Sequence, residues 1–327
     1  MVWFWKNWQR SAIPVLGHIA NNGPIGVDVG DDAVKIAQLA ANHKAVILLA
    51  GYVHKQPRDI ENGSSAWQRW VIDALANSTS NGRFRSREVV ASIPANEVFI
   101  DHIKVPSDAG LADESKLQEL VLTKIKHKLP FEAPGAMIRH IPAEENNAVV
   151  IAIERKIVDR HLAIYENANL AIKSICVWPT ALTNSYISFF GRRKADLDSV
   201  VMLLDIDSRR SNVVICRHRS LLFARSISIG AEQLGDEQTV TRLVVELTAC
   251  KRQLSSMYKK AQVERLIFLS AQTPDRQVCA KIAKQLEMPA QIGDCLAAVQ
   301  VADPQKAGID RREPQVNWAT AFGLSLA

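Results

Sequence analysis

Residues 25–39 have the sequence IGVDVGDDAVKIAQL, in which an apolar run is interrupted by a turn and then resumes as a second apolar run. Two such runs joined by a turn that contains Asp and Gly are typical of a β-hairpin. Because glycine has no Cβ atom, we expect Gly30 to adopt a backbone conformation closed to other residues, so that the turn directs its amide groups toward a ligand. The chain is organised around this hairpin.

A second copy of the pattern occurs at residues 200–215, which have the sequence VVMLLDIDSRRSNVVI. In both copies an apolar run ends at an aspartate, Asp28 or Asp205, and another apolar run follows the turn. This arrangement resembles actin-like and sugar-kinase-like proteins, whose two related lobes each open with such a hairpin. In those proteins the hairpin holds the phosphates of ATP between the lobes, and its aspartate holds a hydrated magnesium ion.

Length and composition favour a folded protein of two domains. The 327 residues suffice for two domains, and 47% hydrophobic residues provide a large core. The net charge of +6 is modest, and the short basic clusters at 83–87 and 217–219 are interpreted as solvated faces. Weak attraction of these clusters to anionic lipid or nucleic acid stays open. Because no nucleic-acid-binding signature is present, we predict no nucleic-acid partner.

The cysteines and histidines argue against a metal centre. Five cysteines, an odd number, are scattered along the chain and flanked mostly by apolar residues, which predicts reduced core cysteines in a cytoplasmic protein. No pair has the spacing of a zinc site, and the histidines form no metal-binding pattern. A Ser-His-Asp constellation does not stand out either, so we assign no catalytic residue.

The first 23 residues form an aromatic and basic N-terminal arm. Trp3, Trp5 and Trp8 surround Lys6, and basic residues interrupt the apolar ones well short of the roughly 20 residues that span a bilayer. A cleavable signal peptide is also a poor match. Two interpretations stay open: an arm whose indole rings and basic side chains contact an anionic membrane surface, or an arm packed on its own domain.

The residues after the first hairpin predict the rest of a first lobe. Residues 45–53 extend the hairpin into a three-stranded meander, and apolar residues at helical spacing in 67–75 predict a helix that ends before the polar loop 77–82. Residues 88–94 form a buried strand that a proline ends. From about 97 to 173 the pattern changes to a compact βαββα set with the character of an insertion.

The second hairpin begins another lobe. A third strand at 221–227 follows it, and then a long amphipathic helix marked by apolar residues at helical spacing. A strand at 265–269, a helix at 278–286 and a terminal helix at 317–326 complete the predicted lobe.

Five segments make the resemblance specific. Residues 128–131 (KLPF), 149–159 (VVIAIERKIVD), 168–170 (ANL), 179–182 (PTAL) and 221–234 (LLFARSISIGAEQL) resemble the PilM family of type IV pilus assembly proteins. The members of that family are cytoplasmic and actin-like, similar to the cell-division protein FtsA and to cytoplasmic domains of type II secretion proteins. The resemblance covers about residues 24–327.

The resemblance implies an α/β actin-like fold of two duplicated, ribonuclease-H-like lobes with a small inserted α+β domain that is similar to SHS2 domains. In this chain the implied parts are the arm at 1–23, the first lobe at 24–96 plus 174–198, the inserted domain at 97–173 and the second lobe at 199–327.

The first nucleotide-binding loop departs from the family pattern. Where the family carries small hydroxyl residues after the glycine, this chain has Asp31 and Asp32, and ionised carboxylates cannot donate hydrogen bonds. A carboxylate about 4 Å from a phosphate charge costs on the order of 4 kcal/mol at an effective dielectric near ~20, unless magnesium intervenes. We expect these side chains to repel phosphate.

The other two loops are also altered. Asp207 replaces the glycine of the second hairpin, where it would adopt a positive φ only with strain. Arg209 and Arg210 replace small residues, although arginine can itself bind phosphate. Ser270 and Ala271 stand where the family has a glycine-rich loop against the adenosine. If nucleotide binding is retained, the candidate residues are Asp28, Gly30, Asp31, Asp32, Lys35, Asp205, Asp207, Ser208, Arg209, Ser270 and Ala271.

We therefore expect a degenerate actin-like scaffold of a type IV pilus or a type II secretion-like inner-membrane assembly. It would bind partners without hydrolysing ATP and with neither ATP nor magnesium as a cofactor. Asp28 and Asp205 are then interpreted as aspartates that cap the turns they start. The alternative is a nucleotide-binding actin-like ATPase that uses these two aspartates with magnesium.

The resemblance also implies a partner. PilM-like proteins hold a cytoplasmic peptide of the single-span inner-membrane protein PilN in a groove between the first lobe and the inserted domain. This chain would then lie in the cytoplasm, peripheral to the inner membrane; self-association stays open. An extended peptide in such a groove gains main-chain hydrogen bonds from a strand edge. The candidate groove residues, each of which could equally be core, are Ile93, Pro94, Phe99, Leu129, Pro130 and Phe131.

Overall fold

A computed structural model of the protein describes residues 22–41, 45–106, 114–269, 276–303, 307–309 and 316–327. The strands, in chain order, are β1 (Ile25–Val29), β2 (Ala33–Ala41), β3 (Val46–Lys55), β4 (Glu88–Ile93), β5 (Phe99–Lys104), β6 (Ala136–Pro142), β7 (Asn147–Glu154), β8 (Ala171–Val177), β9 (Val200–Ile206), β10 (Ser211–Arg217), β11 (Ser220–Ile227), β12 (Arg265–Phe268), β13 (Ala290–Ile292) and β14 (Gln300–Val301). The helices are α1 (Ser65–Ser80), α2 (Glu114–Ile125), α3 (Arg155–Asn167), α4 (Trp178–Ser185), α5 (Glu237–Met257), α6 (Arg276–Gln285) and α7 (Ala319–Ser325).

The first hairpin lies at the centre of a six-stranded sheet. The strand order is β14-β3-β2-β1-β4-β8. Strands β1, β2 and β3 form an antiparallel meander, whereas β4 pairs in parallel with both β1 and β8. The predicted hairpin, meander and following strand are therefore confirmed.

Side chains of β1 alternate between the two faces of this sheet. On one face Ile25 and Val27 are buried in a cluster with Trp67 of α1 and Tyr165 of α3. Helices α1 and α3 therefore cover that face together. The opposite face carries Asp28 and is directed toward the rest of the molecule.

Helices α4 and α7 cover the opposite face with their backbones in close contact. A Cβ atom at Gly26 would lie 2.0 Å from the carbonyl oxygen of Ala321, and a Cβ atom at Gly323 would lie 1.9 Å from the carbonyl oxygen of Ala181. Only glycine permits such approaches. Helix α7 thus packs on the first sheet, and strand β14 is an edge strand of that sheet, although both come from the 199–327 range predicted as the second lobe.

Helix α1 is longer than the sequence predicted. It continues through Ser80, although the polar residues at 77–82 indicated a loop. The hydroxyl of Ser78 donates to the carbonyl oxygen four residues earlier at 2.8 Å, and that of Thr79 does the same at 2.9 Å. Because these side chains bond back onto the helix, they do not end it, and the predicted boundary was wrong.

The second hairpin lies in a five-stranded sheet of order β11-β10-β9-β12-β13. Strands β9, β10 and β11 are antiparallel, and β12 pairs in parallel with β9, so the predicted hairpin and third strand are confirmed. Helices α5 and α6 cover one face. On the other face, Leu203 and Val214 share a buried cluster with Trp178 of α4, Phe322 of α7 and Leu39 of the first sheet. Helices α4 and α7 therefore lie between the two sheets.

The inserted domain is a three-stranded antiparallel sheet of order β5-β7-β6, and α2 covers one of its faces. On the other face, Ile151 and Ile153 of β7 are buried against Ile93 and Val177 of the first sheet. The predicted βαββα order, which α3 completes, is confirmed.

The inserted domain also contacts the second lobe through His102 of β5. Its ring stacks on Phe223 of β11 with centroids 4.3 Å apart, and its Nε2 atom accepts a hydrogen bond from the Ala224 backbone N–H at 3.1 Å. Burial lowers the pKa of His102 to about 4. The ring is therefore neutral at physiological pH and holds the inserted domain against the edge of the second sheet.

All five cysteines are buried, as predicted. Burial raises the pKa of the Cys176 thiol to about 11, which keeps it protonated. Among the residues that the structure describes, no helix combines the length and the apolarity that crossing a membrane requires.

Candidate functional site

The turns of the two hairpins face each other across the cleft between the lobes. A Cβ atom at Gly30 in the first turn would lie 3.2 Å from Oδ2 of Asp207 in the second. Gly30 does not have a positive φ, so the backbone conformation predicted for it was wrong. The absence of a side chain at this position instead leaves space for the Asp207 carboxylate.

Asp28 of β1 and Lys35 of β2 are directly opposed in the antiparallel register. The Nζ atom of Lys35 lies 3.3 Å from Asp28 Oδ2, and the Ser92 hydroxyl donates a hydrogen bond to Asp28 Oδ1 at 3.3 Å. Both charged side chains are buried. Burial raises the pKa of Asp28, and the Lys35 ammonium opposes that effect. The two residues form a buried ion pair within the first lobe.

Lys35 also faces carboxylates of the second lobe. Burial by itself lowers the pKa of Lys35, but the negative charges of Asp207, Asp28 and Asp205 outweigh burial and raise it above its ordinary value. Two of these three carboxylates belong to the second hairpin. The Lys35 ammonium therefore stays charged at neutral pH and attracts groups of both lobes.

Asp205 occupies the position in the second hairpin that Asp28 occupies in the first. Its directly opposed residue is Asn212, whose Nδ2 atom donates to Asp205 Oδ2 at 3.1 Å. The side-chain amide of Asn317 donates to the other carboxylate oxygen. Burial and the charge of Asp207 raise the pKa of Asp205 to about 7. Two amides, rather than a cation, hold this aspartate.

An ion pair connects the two turns. Arg210 Nε donates to Asp31 Oδ2 at 2.9 Å. The Asp31 carboxylate, which we predicted to repel phosphate, is buried and pairs with a side chain of the second lobe. Burial raises the pKa of Asp31, and Arg210 opposes that effect. In the same turn Asp32 is half-buried, and burial raises its pKa as well.

The second turn is held by its own hydrogen bonds. The backbone N–H of Asp207 donates to the Arg210 carbonyl at 2.8 Å, and Asp207 Oδ1 accepts from the Ser208 N–H at 3.1 Å. Asp207 does not have a positive φ, so the strain predicted for it is absent. A Cβ atom at Gly230 would lie 2.4 Å from the Arg209 backbone, which packs the turn tightly. The Arg209 side chain is exposed.

A cavity of about 20 Å³ remains between the turns, and its walls carry Asp28, Asp205, Asp207, Trp178 and Asn212. Trp178 Nε1 and Asn212 Oδ1 are buried without a hydrogen-bond partner. A space of this size holds about one water molecule, whereas pockets for small organic ligands measure roughly 300–1,000 Å³. The residues present therefore do not fit a triphosphate in this arrangement.

The described part of the chain contains no group of three or more His, Cys, Asp or Glu side chains arranged to hold a metal ion. The candidates Ser270 and Ala271 lie outside the described residues. Trp3, Trp5 and Trp8 of the N-terminal arm lie outside them as well.

Two residues of the site, Asn212 and Asn317, were not predicted, and Arg210 was predicted only as a possible phosphate-binding residue rather than as the partner of Asp31. A local signal exists for Asn212, because it follows Asp205 by seven residues, the same spacing that separates Lys35 from Asp28. In a hairpin with a fixed turn, equal spacing places both pairs opposite each other. Asn317 is 112 residues from Asp205, and no local pattern indicates that contact.

The six candidate groove residues do not line one groove. Ile93 is buried in the cluster between the first sheet and the inserted domain. Pro94 is buried beside the cleft between the two turns. Neither side chain belongs to an open surface.

The other four candidates lie together on the inserted domain. Phe99, Leu129 and Phe131 are partly buried and pack against the cluster beneath α2. Pro130, between the last two, is exposed. The structure therefore brings together one half-exposed apolar patch at the end of β5, formed by Phe99, Leu129 and Phe131.

Comparisons with known proteins extend this description. Residues 26–248 match the family described as type IV pilus assembly protein PilM. The PilM–PilN type IV pilus biogenesis complex has a similar structure, with a TM-score of 0.73 and 19% identity over 94% of this chain and 98% of that chain. No curated protein sequence matches the chain significantly.

Two more distant structures share the fold. The cytoplasmic domain of EpsL, an inner-membrane component of the type II secretion system of Vibrio cholerae, has a TM-score of 0.50 and 10% identity over 92% of this chain and 94% of that chain. A Bacteroides thetaiotaomicron protein with an actin-like ATPase fold has a TM-score of 0.50 and 11% identity over 92% of this chain and 96% of that chain.

These likenesses and the two facing hairpins show a two-lobed actin-like fold with an inserted α+β domain. The family match covers more than half of the chain, from the first hairpin into α5. The chain therefore belongs to the family of type IV pilus assembly PilM proteins.

Proposed function

We propose that this chain is a cytoplasmic, actin-like scaffold of type IV pilus assembly that binds the cytoplasmic tail of a PilN-like inner-membrane protein without hydrolysing ATP. The family match over residues 26–248 carries the proposal. The similarity to the PilM–PilN complex over nearly the full length of both chains supports the choice of partner.

The inserted domain offers a place for an extended tail. Strand β5 is at the edge of its sheet and pairs with β7 on one side. The Val105 N–H donates to the Asn146 carbonyl at 2.7 Å, so the antiparallel alternation directs the backbone groups of Ile100 and His102 away from β7. A peptide strand added at such an edge gains main-chain hydrogen bonds. Side chains of the tail would contact the neighbouring apolar patch.

Binding of a synthetic tail peptide tests the proposal. Leu129→Asp places a charge in the apolar patch, whereas Leu122→Asp makes the same change at a position on α2 that is 39% exposed. We expect the dissociation constant measured by fluorescence anisotropy to rise about tenfold or more, equivalent to ~1.4 kcal/mol, for Leu129→Asp alone. Circular dichroism melts confirm that both variants are folded.

Equal affinities of the two folded variants would place the tail elsewhere on the surface. Absence of binding to the wild-type chain, with a peptide from the PilN-like protein of the same organism, would contradict the partner. Neither result depends on nucleotide, because the anisotropy is measured in its absence.

The proposal that ATP is not used rests on the charges of the cleft. Its buried cation Lys35 and its partly buried cation Arg210 are already paired with carboxylates, and the adjoining cavity is small. We expect isothermal titration calorimetry with ATP and magnesium to detect no binding. Micromolar binding that is lost in Asp28→Ala and Asp205→Ala would instead support an ATPase that uses these two aspartates.

Membrane contact through the N-terminal arm is a separate proposal. Trp3, Trp5 and Trp8 together with Lys6 have the composition of an interfacial segment. We expect the full chain to float with vesicles that contain anionic lipid and a chain without its first 22 residues to stay at the bottom of the gradient. Equal flotation of both chains would show that the arm does not mediate membrane binding.

A further inference from the structure

Side chains of the protein itself bridge the cleft between the lobes. Arg210 in the second turn pairs with Asp31 of the first lobe, and Lys35 of β2 lies beside the cavity whose walls carry Asp205 and Asp207 of the second lobe. We propose that Lys35 and Arg210 form an internal latch, which holds the two lobes closed without a ligand in the cleft. This latch goes beyond the scaffold role, because it sets the resting conformation of the scaffold.

The first part of the latch is the pair of Arg210 and Asp31. The two residues are 179 positions apart and belong to different sheets, and their Nε and Oδ2 atoms are 2.9 Å apart. The side chain of Asp31 is 7% exposed and that of Arg210 is 27% exposed. Because the pair is largely removed from water, salt screens it less than a surface ion pair. Separation of the lobes breaks this charge-assisted hydrogen bond.

The turn that carries Arg210 is rigidly anchored. The Asp207 N–H closes the turn on the Arg210 carbonyl at 2.8 Å. The N–H groups of Ala231 and Glu232 donate to the carbonyls of Asp207 and Ser208 at 2.8 and 3.0 Å. These bonds tie the turn to the segment after β11, so the guanidinium of Arg210 is presented to the first lobe from a fixed base.

The second part of the latch is Lys35, which is 5% exposed. Asp28 holds its ammonium from within the first lobe at 3.3 Å, and Asp28 shares the walls of the 20 Å³ cavity with Asp205 and Asp207, whose charges attract the ammonium from the second lobe. In a site with little water, such attractions are stronger than at the surface. Opening of the cleft removes the two second-lobe carboxylates from Lys35 and leaves it with Asp28.

The contact between the turns leaves little space for any other bridge. Asp207 Oδ2 occupies the space next to Gly30, and the remaining cavity is about 20 Å³. The latch rests on the proposed function in one respect, namely that no nucleotide connects the lobes. It does not depend on the identity of the membrane partner.

The distance between the lobes tests the latch. Asp73 on α1 and Ser255 on α5 are exposed, so both can be replaced by cysteine and labelled with nitroxides for double electron–electron resonance. The five native cysteines are buried, which directs the labels to the two introduced residues. For the otherwise unchanged chain we expect a narrow distance distribution that does not respond to ATP and magnesium.

Three substitutions separate charge from side-chain bulk. Arg210→Gln removes the charge, Arg210→Lys keeps it, and Arg209→Gln makes the first change at an exposed neighbour. We expect a longer mean distance and a broader distribution for Arg210→Gln only. Asp31→Asn breaks the same pair from the other lobe and should reproduce the effect, so the test does not depend on the folding of a single variant.

Thermal melts identify which variants are folded. An unchanged distance distribution in folded Arg210→Gln and Asp31→Asn would overturn the latch, and so would an equal broadening in Arg209→Gln. Binding of the tail peptide is measured on the same samples, so a failure of the proposed partner is distinguished from a failure of the latch.

Discussion

The two hairpins share one architecture but carry different partners for the same aspartate. In the first hairpin Asp28 is opposed by Lys35, and in the second Asp205 is opposed by Asn212, and the members of each pair are seven positions apart in sequence. The ammonium opposes the effect of burial on the first carboxylate. The second carboxylate receives hydrogen bonds from two amides, and its pKa is raised to about 7 although the Lys35 ammonium opposes the rise. The first aspartate thus has a counter-charge directly opposite it in its own hairpin, and the second does not.

The turns differ in a complementary way. Two residues after the aspartate, the first hairpin has Gly30 and the second has Asp207, whose carboxylate lies in the space that the glycine leaves. The cation Lys35 of the first hairpin and the carboxylates of the second attract one another. The two hairpins therefore carry complementary charges, which interact only when the two lobes are in contact.

The largest expected effect concerns Lys35, the charged partner of the aspartate in the first hairpin. Lys35→Met keeps the approximate length of the side chain but leaves Asp28 buried without its counter-charge, which costs about 3–5 kcal/mol. Chemical denaturation measures the loss. A second change, Asp28→Asn in the same chain, should recover much of it, because no unpaired charge then remains. If the double variant is no more stable than Lys35→Met, the pair is not what stabilises the first hairpin.

The next effect concerns packing of the hairpins. Two residues before the aspartate, the first hairpin has Gly26 against the backbone of α7, where the second has Leu203 in the core. Gly26→Ala should lower the free energy of unfolding by about 1–3 kcal/mol or more, because a Cβ atom would overlap the Ala321 carbonyl oxygen. Gly135→Ala is the control, since nothing lies within 4 Å of its Cβ position. Similar losses in both variants would contradict the close approach of α7.

A third prediction uses pH to examine the second hairpin. The pKa of Asp205 is raised from 3.8 to about 7, so the folded protein holds a proton on this carboxyl in a pH range where the unfolded chain has released it. The stability contributed by this group is therefore full at low pH and falls as the pH rises through that range. Asp205→Asn, which never ionises, should raise the melting temperature more at about pH 8 than at about pH 5.

The unchanged chain and Asp205→Asn are each melted in both buffers at the same ionic strength, so that only the pH differs. Equal shifts at the two pH values would show that Asp205 titrates normally in the folded chain. Asp28, Asp31 and Asp32 have pKa values shifted in the same direction, so the variant should reduce the pH dependence rather than abolish it.

The smallest effect is expected for Asn212, the neutral partner of the aspartate in the second hairpin. Asn212→Ala removes a neutral donor to Asp205 and should lower the free energy of unfolding by about 1 kcal/mol. The same denaturation experiment that is used for Lys35→Met gives the value. A loss as large as that of Lys35→Met would show that the amide and the ammonium contribute equally, and the contrast between the hairpins would disappear.

Much of the fold was predictable because its signals are local. The two hairpins, the meander and the βαββα insertion follow from apolar alternation and helical spacing within short windows. The predictions were wrong where a contact with another residue determines the local conformation. Ser78 and Thr79 bond back onto α1 and keep it helical, and Gly30 accommodates a side chain of the other lobe rather than an unusual φ.

The candidate site was only partly predictable. Its aspartates were identified from their place at the ends of apolar runs, but Asp31 was predicted only to repel phosphate and not to pair with Arg210. Arg210 and Asn212 stand next to predicted residues, yet their partners are set by strand register and lobe packing. The groove candidates divided between the core and a patch on the inserted domain for the same reason.

The sequence by itself determined the secondary structure, the duplicated hairpins and the family, since each depends on residues that are close together along the chain. Only the tertiary structure decided which polar side chains pair: Asp31 and Arg210 are 179 residues apart, and Asp205 and Asn317 are 112 residues apart. An ion pair depends on distance and on removal from water. Both the distance and the removal from water are set only when the two lobes pack together, so no pattern in the linear sequence shows which side chains pair.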